Sequence, residues 1–216
     1  MLDQSEKEKK RLEFLIAMYN QLMGDINRHI IVVWQSSGLL IGTFAVYTLV
    51  EKKFIGLEIA TTLVVAACIW LMAHVFDSGY WYNRNLAIIA NIERQFLNQT
   101  DLREIHYYFG AHRKDNKLLT HLRLQLFFGF GIAALALLYF FFNDTLPFIQ
   151  ICEWPNSVSS TFPYLAALAG TYLGCYLPKM YRAKYEEFLK NSPGVSLDTG
   201  GVTYGVGHPA DTPKAP

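Results

Sequence analysis

The chain has 216 residues, which allows one domain or two small ones. A formal net charge of +1 points to no class of partner, and three widely spaced cysteines, Cys68, Cys152 and Cys175, exclude a disulfide framework and a cysteine metal site. Apolar residues make up 52% of the chain, and their segregation is more telling than their total: charge is almost absent from 30–50, 54–76, 124–142 and 162–177. The first three stretches are long enough to cross a bilayer as helices, which takes about 20 residues, and the fourth is short and would lie tilted against its neighbours or sit in a thinned bilayer. A soluble bundle would need polar positions recurring around each helix, and these stretches lack them. The fold class that follows is all-α: a polytopic membrane protein with four transmembrane helices and long cytoplasmic helical extensions.

Taken in order, 1–28 reads as a cytoplasmic amphipathic helix. Leu12, Leu15, Tyr19, Leu22 and Ile26 recur at helical spacing, and Phe14 and Met18 widen the stripe. The stripe suits packing against other cytoplasmic helices or lying on the membrane surface. Gly24, worth about 1 kcal/mol of helix stability against alanine, is the one weak point before the bilayer.

No proline separates this helix from the first span, 29–50. Arg28, Gln35, Gly38 and Gly42 fall on one face at near-heptad spacing. A small, polar face in mid-membrane needs a helix partner or a watery path, because lipid offers it nothing. These four residues are the candidate pore lining, with Arg28 and Asp25 at the cytoplasmic entrance.

A short turn at 51–53 leads to the second span, 54–76; together 29–76 form a transmembrane hairpin. Glu58, one turn inside the second span, is expected to reach Lys52 or Lys53 at the interface, or to serve at a pore mouth. His74 and Asp77 mark the inner end as interface residues. Tyr80, Trp81 and Tyr82 have the character of an aromatic belt. Tyr82, Leu86, Ile89, Ile92 and Phe96 continue a helical stripe to about Leu97, with Arg84 and Arg94 off it.

The cytoplasmic segment 77–117 holds the one concentrated set of basic and aromatic side chains. Arg103, His106, Tyr107, Arg113, Lys114 and Lys117 are its candidate ligand- or partner-binding residues, since cations and stacking rings suit nucleotides. The same cations also suit anionic lipid. Arg103 and His106 lack the spacing of the Arg–His nuclease motif of HEPN domains.

The second membrane pair and its cytoplasmic extension occupy 118–190, with a third span at 120–142 and a fourth at 162–178. Gly129 and Ala133 form a small-residue pair on the third; Ala166, Gly170 and Gly174 stand four apart on the fourth, a close-packing signature. Pro178 is a kink point where the fourth helix leaves the membrane. Residues 191–216 are rich in Gly, Pro and Thr and read as a disordered tail. Lys and Arg crowd the N-terminal segment, the central segment and the stretch after the fourth span, and are absent from 143–161. The positive-inside rule then puts both termini and the central segment in the cytoplasm.

No Walker loop, dinucleotide turn, metal-spaced set or nucleophile–base pair stands in the sequence, so no catalytic residue, metal or cofactor is assigned.

The layout now carries a resemblance. An amphipathic helix runs into Gly-Asp-Ile-Asn-Arg-His (24–29) and a Trp-Gln-Ser-Ser span (34–37). A hairpin, Tyr-Trp-Tyr-Asn-Arg (80–84) and a cytoplasmic helix follow. From about Arg11 to Lys190 this resembles the small membrane effectors of bacterial anti-phage systems, the SLATT-type proteins and the four-span Hailong-type effectors coupled to nucleotidyltransferases. The resemblance implies an oligomeric inner-membrane channel, with a tetramer as the first guess. A nucleotide or oligonucleotide signal, or the synthase that makes it, would be the partner beside the lipid bilayer. A non-channel scaffold docking a partner enzyme, and a small transporter or lipid-modifying enzyme, are the other readings.

Overall fold

The structure is a computed structural model and describes residues 3–93, 96, 116–147 and 158–191. Among these residues every regular element is helical. In chain order they are α1 (Gln4–Thr43), α2 (Ala45–Glu51), α3 (Leu57–Glu93), α4 (Thr120–Phe140) and α5 (Phe162–Asn191). A π-helical turn, Phe141–Thr145, follows α4, and a 3₁₀ turn, Val158–Thr161, precedes α5.

Asp3 starts α1: its carboxylate accepts the Gln4 N–H at 2.7 Å and its carbonyl accepts the Lys7 N–H at 3.0 Å. This answers donors that the first turn leaves unpaired. The helix then continues through Gly24. At Phe44 the backbone stays right-handed helical (φ −63°, ψ −25°), so α2 follows α1 with one turn interrupted. The hairpin is closed by a paired carbonyl lock at the end of α2: Lys53 N–H bonds Val50 C=O and Phe54 N–H bonds Leu49 C=O, both at 2.9 Å. That is a Schellman arrangement, and its left-handed residue is Lys53 at φ 58°.

The chain divides into two compact units. One comprises 30–79 and 118–181. Its core is built by Val33 of α1, by Val64, Cys68, Leu71 and Val75 of α3, and by Leu122, Ile132 and Ala136 of α4. The buried positions of α4, Leu122, Gln125, Gly129, Ile132, Ala136 and Phe140, step by three and four, so one stripe of the helix faces the core. The opposite side is apolar and uncovered: Leu124, Phe127, Phe130, Leu135 and Leu138 are exposed, as are Leu165 and Leu168 of α5. Soluble monomers rarely leave so much contiguous apolar surface in water.

Three helical stretches are long and apolar enough to cross a membrane: Gln4–Glu51, Leu57–Glu93 and Thr120–Thr145. The composition of these helices associates the protein with a membrane. Helix α5 is not among the three. Tyr164, Thr171, Tyr172, Tyr176 and Pro178 dilute its apolar character, and the helix runs on through Pro178.

The other unit comprises 1–29, 80–117 and 182–216. Leu15, Leu22 and Ile26 of α1 are buried, as are Tyr80, Tyr82, Leu86, Ile89 and Ile92 of α3 and Tyr185 of α5. Tyr19 donates to Glu93 Oε1 at 3.3 Å. The sequence stripe on α1 is only partly covered: Leu12 and Phe14 remain 41% and 67% exposed, and Ile16, outside the stripe, is 51% exposed. Asn83, fully buried, donates through Nδ2 to Asn116 Oδ1 at 2.8 Å and to the Lys117 carbonyl at 3.1 Å. It ties down the segment that leads into α4. The expected tail, apart from Asn191, and Leu97 lie outside the described residues.

Candidate pore face and a cation–aromatic cluster

Helical geometry gives α1 two unlike faces within 30–43. Val33 and Ser36 turn inward, 0% and 4% exposed, and the Ser36 hydroxyl is returned to its own helix by a 2.9 Å bond to the Val32 carbonyl. Gln35, Gly38 and Gly42 are exposed. A Cβ built on Gly38 or on Gly42 meets nothing within 4 Å. Only 13% of the apolar window in this helix is buried, against 44% in α3. Arg28 belongs to the other unit. Its guanidinium pairs with Asp25 at 2.9 Å, one turn back on the same helix, and two-thirds of its side chain is exposed (66%).

The small residues of α4 and α5 are in a different condition. A Cβ on Gly170 would stand 2.9 Å from Ile69 Cγ1, one on Gly129 would stand 3.2 Å from Leu71, and one on Gly174 would stand 3.4 Å from the Met72 sulfur. All three partners belong to α3. Ala133 packs against the core and Ala166 is half-buried. The Thr171 hydroxyl is satisfied within α5 by the Ala167 carbonyl at 2.9 Å.

Glu58 does not take the partner expected of it. No ion pair joins it to Lys52 or Lys53; its Oε1 accepts the Ser159 hydroxyl at 3.1 Å, and its carboxylate folds back over Gly56. The 3₁₀ turn before α5 brings Ser159 to it, a contact between segments far apart in sequence. His74 lies edge-on to Trp70 at 4.6 Å, and Asp77 accepts the Tyr181 hydroxyl at 3.0 Å.

Of the residues singled out for ligand binding, Lys117 is described and exposed, and its carbonyl is held by Asn83. Arg103, His106, Tyr107, Arg113 and Lys114 lie outside the described residues. Among the described residues no three His, Cys, Asp or Glu side chains come together to hold a metal ion.

One cluster escaped the sequence reading. Arg84, placed off the stripe by periodicity, is half-buried, with its guanidinium carbon 4.9 Å over the Trp81 ring and 5.5 Å over Phe188. Lys184 Nζ lies 4.7 Å over Tyr80. Trp81 also stacks on His29 at 6.3 Å with 9° between the planes. The Trp81–Arg84 spacing of one helical turn was a signal in the sequence; the α5 partners gave none.

No protein-family model, curated protein or solved structure matches this chain.

Proposed function

We propose that the protein is a membrane effector of a bacterial anti-phage system. It assembles into a homo-oligomer, taken first as a tetramer, and opens an ion-conducting path that depolarises the inner membrane on a nucleotide or oligonucleotide signal. In this reading four helices cross the bilayer, α5 being the short fourth, and both termini and 77–117 face the cytoplasm. The protein has no catalytic step of its own.

The observation that carries the reading is the open face of α1. An apolar helix with glycines exposed and a glutamine amide one turn before them gains nothing from lipid tails. Small-residue faces let helix backbones approach closely, and copies of one face around an axis would cover it. Gln35 makes such an interface suited to water, as a wholly apolar seam would not be. The defence context and the nucleotide signal rest on the resemblance of layout alone.

The test is single-channel recording of the purified chain in planar bilayers, wild type against Gly42→Trp. Discrete currents in the wild type that the substitution abolishes support the pore. Currents unchanged by Gly42→Trp in a protein that still assembles remove it. A second reading, a scaffold that docks a partner enzyme, draws on the uncovered Leu12, Phe14 and Ile16 of α1. It is favoured if both proteins are silent with and without cyclic and linear oligonucleotides.

A further inference from the structure

A long apolar cavity runs between α3, α4 and α5. It encloses about 210 Å³ and is walled by parts of 65–72, 126–137 and 167–171, all within one compact unit. Small residues make it. Gly129 and Gly170 let α4 and α5 close on Leu71 and Ile69 of α3, while Ala133, Ala134 and Ala167, about one turn away, carry too little side chain to fill the space that remains. Cys68 and Leu71 form its back, 6% and 1% exposed. Phe130, Ala134 and Thr171 line it too and are exposed, so it opens on the outer surface of α4 and α5. Leu138, one turn from Ala134, and Leu168, close to one turn from Thr171, are uncovered apolar side chains of the same two helices.

Chemistry, length and depth together select the occupant. Among the described residues, no buried side-chain nitrogen or oxygen that lacks a hydrogen bond belongs to the wall, and the Thr171 hydroxyl is given to the Ala167 carbonyl at 2.9 Å. A buried water needs about two to four polar partners, whereas apolar cavities of about 150 Å³ stay dry and take up apolar guests. The α4 wall runs from Leu126 to Leu137, about 16 Å at the rise of an α-helix, so the space is a slot and not a chamber. Its depth follows from the helices that wall it. The midpoint of α4 (Thr120–Phe140) is residue 130, and that of the apolar stretch 57–76 of α3 lies at 66–67; both fall inside the wall. In a hydrocarbon core about 30 Å thick, that level is about 15 Å from either headgroup layer. Lipid reaches it with its hydrocarbon tails.

We propose that this cavity binds one acyl chain of a membrane lipid, laid along α4 with its distal half against Cys68 and Leu71. The binding requires α3 and α4 to span the bilayer and is independent of any pore.

The full chain is reconstituted in phosphatidylcholine nanodiscs that contain a phosphatidylcholine with a diazirine in the distal half of one acyl chain. After photolysis the adducts are located by peptide mass spectrometry. Wild type is expected to carry adducts at Cys68 or Leu71, which are too buried for lipid at the outer surface to reach, as well as at Leu135 and Leu138, which are exposed. A diazirine placed in the headgroup should leave Cys68 and Leu71 unlabelled. Ala133→Phe fills the slot and should lower labelling at Cys68 and Leu71 at least tenfold while labelling at Leu135 and Leu138 persists. Ala134→Phe, at the exposed rim, decides the matter if Ala133→Phe does not fold. Labelling of Leu135 and Leu138 without Cys68 or Leu71 in wild type overturns the proposal and leaves the slot empty or filled by a second copy of the chain. Labelling of none of the four overturns it together with the membrane-spanning reading of α3 and α4. It also falls if the headgroup probe labels Cys68 as strongly as the chain probe, or if labelling survives unchanged in the folded filled variants.

Discussion

In α5 a Cβ placed on Gly170 would press on Ile69 at 2.9 Å, whereas in α1 a Cβ placed on Gly38 or Gly42 would meet nothing within 4 Å. Both helices carry glycines four residues apart in an apolar sequence, the pattern that permits close approach of backbones. In α5 the chain itself uses that permission, filling the groove with Ile69 and Met72 of α3. In α1 nothing among the described residues does. The same pattern therefore has two destinations: one is consumed in folding a single chain, and the other is left over for a surface outside it. A glutamine sharpens the contrast. Gln125 of α4 is 5% exposed, with neither amide atom hydrogen-bonded among the described residues. Gln35 of α1 is exposed beside the open glycines.

The largest expected effect separates assembly from folding. Gly42→Trp and Gly38→Trp should abolish the oligomer, read as mass by light scattering in detergent. The unfolding free energy should stay within about 0.5 kcal/mol of wild type, as surface substitutions do. An unchanged mass would mean that the face is lipid-exposed in the assembled protein, and the comparison would fail. Gly170→Leu should do the reverse. Its side chain enters occupied space, so stability should fall by about 1–3 kcal/mol, the usual cost of overpacking, in thermal unfolding. A wild-type midpoint for Gly170→Leu would show that α5 and α3 do not depend on close approach.

Next in size is Gln125→Leu. Removing a buried amide that lacks partners relieves an unmet desolvation penalty, so the variant should be more stable by about 1 kcal/mol. A loss of stability would show that the amide is hydrogen-bonded in the working protein. Gln35→Leu should leave monomer stability where it is and alter conductance instead.

The sequence made the helices legible because their signal is local. The apolar run at 30–50 falls on α1 and α2, that at 54–76 falls on α3 from Leu57 onward, and that at 124–142 falls on α4 and the start of the π-helical turn. Asp3 and Glu6 mark the start of α1 within its own first residues. The spacing of glycines was legible too, but their use was not. Whether a Gly-to-Gly face is filled depends on which helix lies against it, and Ile69 and Met72 carry no mark that assigns them to α5. Glu58 illustrates the same limit: its neighbours Lys52 and Lys53 were the local choice, and Ser159 reached it through the fold. The surroundings of Arg84 were not legible for a related reason. Periodicity places a charged residue off the apolar stripe and says nothing of rings that can cover it. Trp81 supplied one such ring within the helix, and Phe188 supplied the other from α5.

The smallest effect concerns a place where the chain lacks a glycine that the backbone asks for. Lys53 closes the carbonyl lock of the first hairpin at φ 58°, in the left-handed region. A side chain bearing a Cβ is strained there, and glycine is not. Lys53 is exposed, so its side chain contributes little packing to set against the strain. Lys53→Gly should therefore stabilise the protein by about 1 kcal/mol, with both hairpin hydrogen bonds kept. Lys53→Ala keeps the Cβ and should give none of that gain. Equal unfolding midpoints for the two variants would place the benefit in removing the lysine charge. A gain confined to glycine would show that the hairpin between α2 and α3 is held in this left-handed turn. Gly42 and Lys53 then invert each other: a glycine whose missing side chain the single chain does not need, and a lysine whose side chain the turn would be better without.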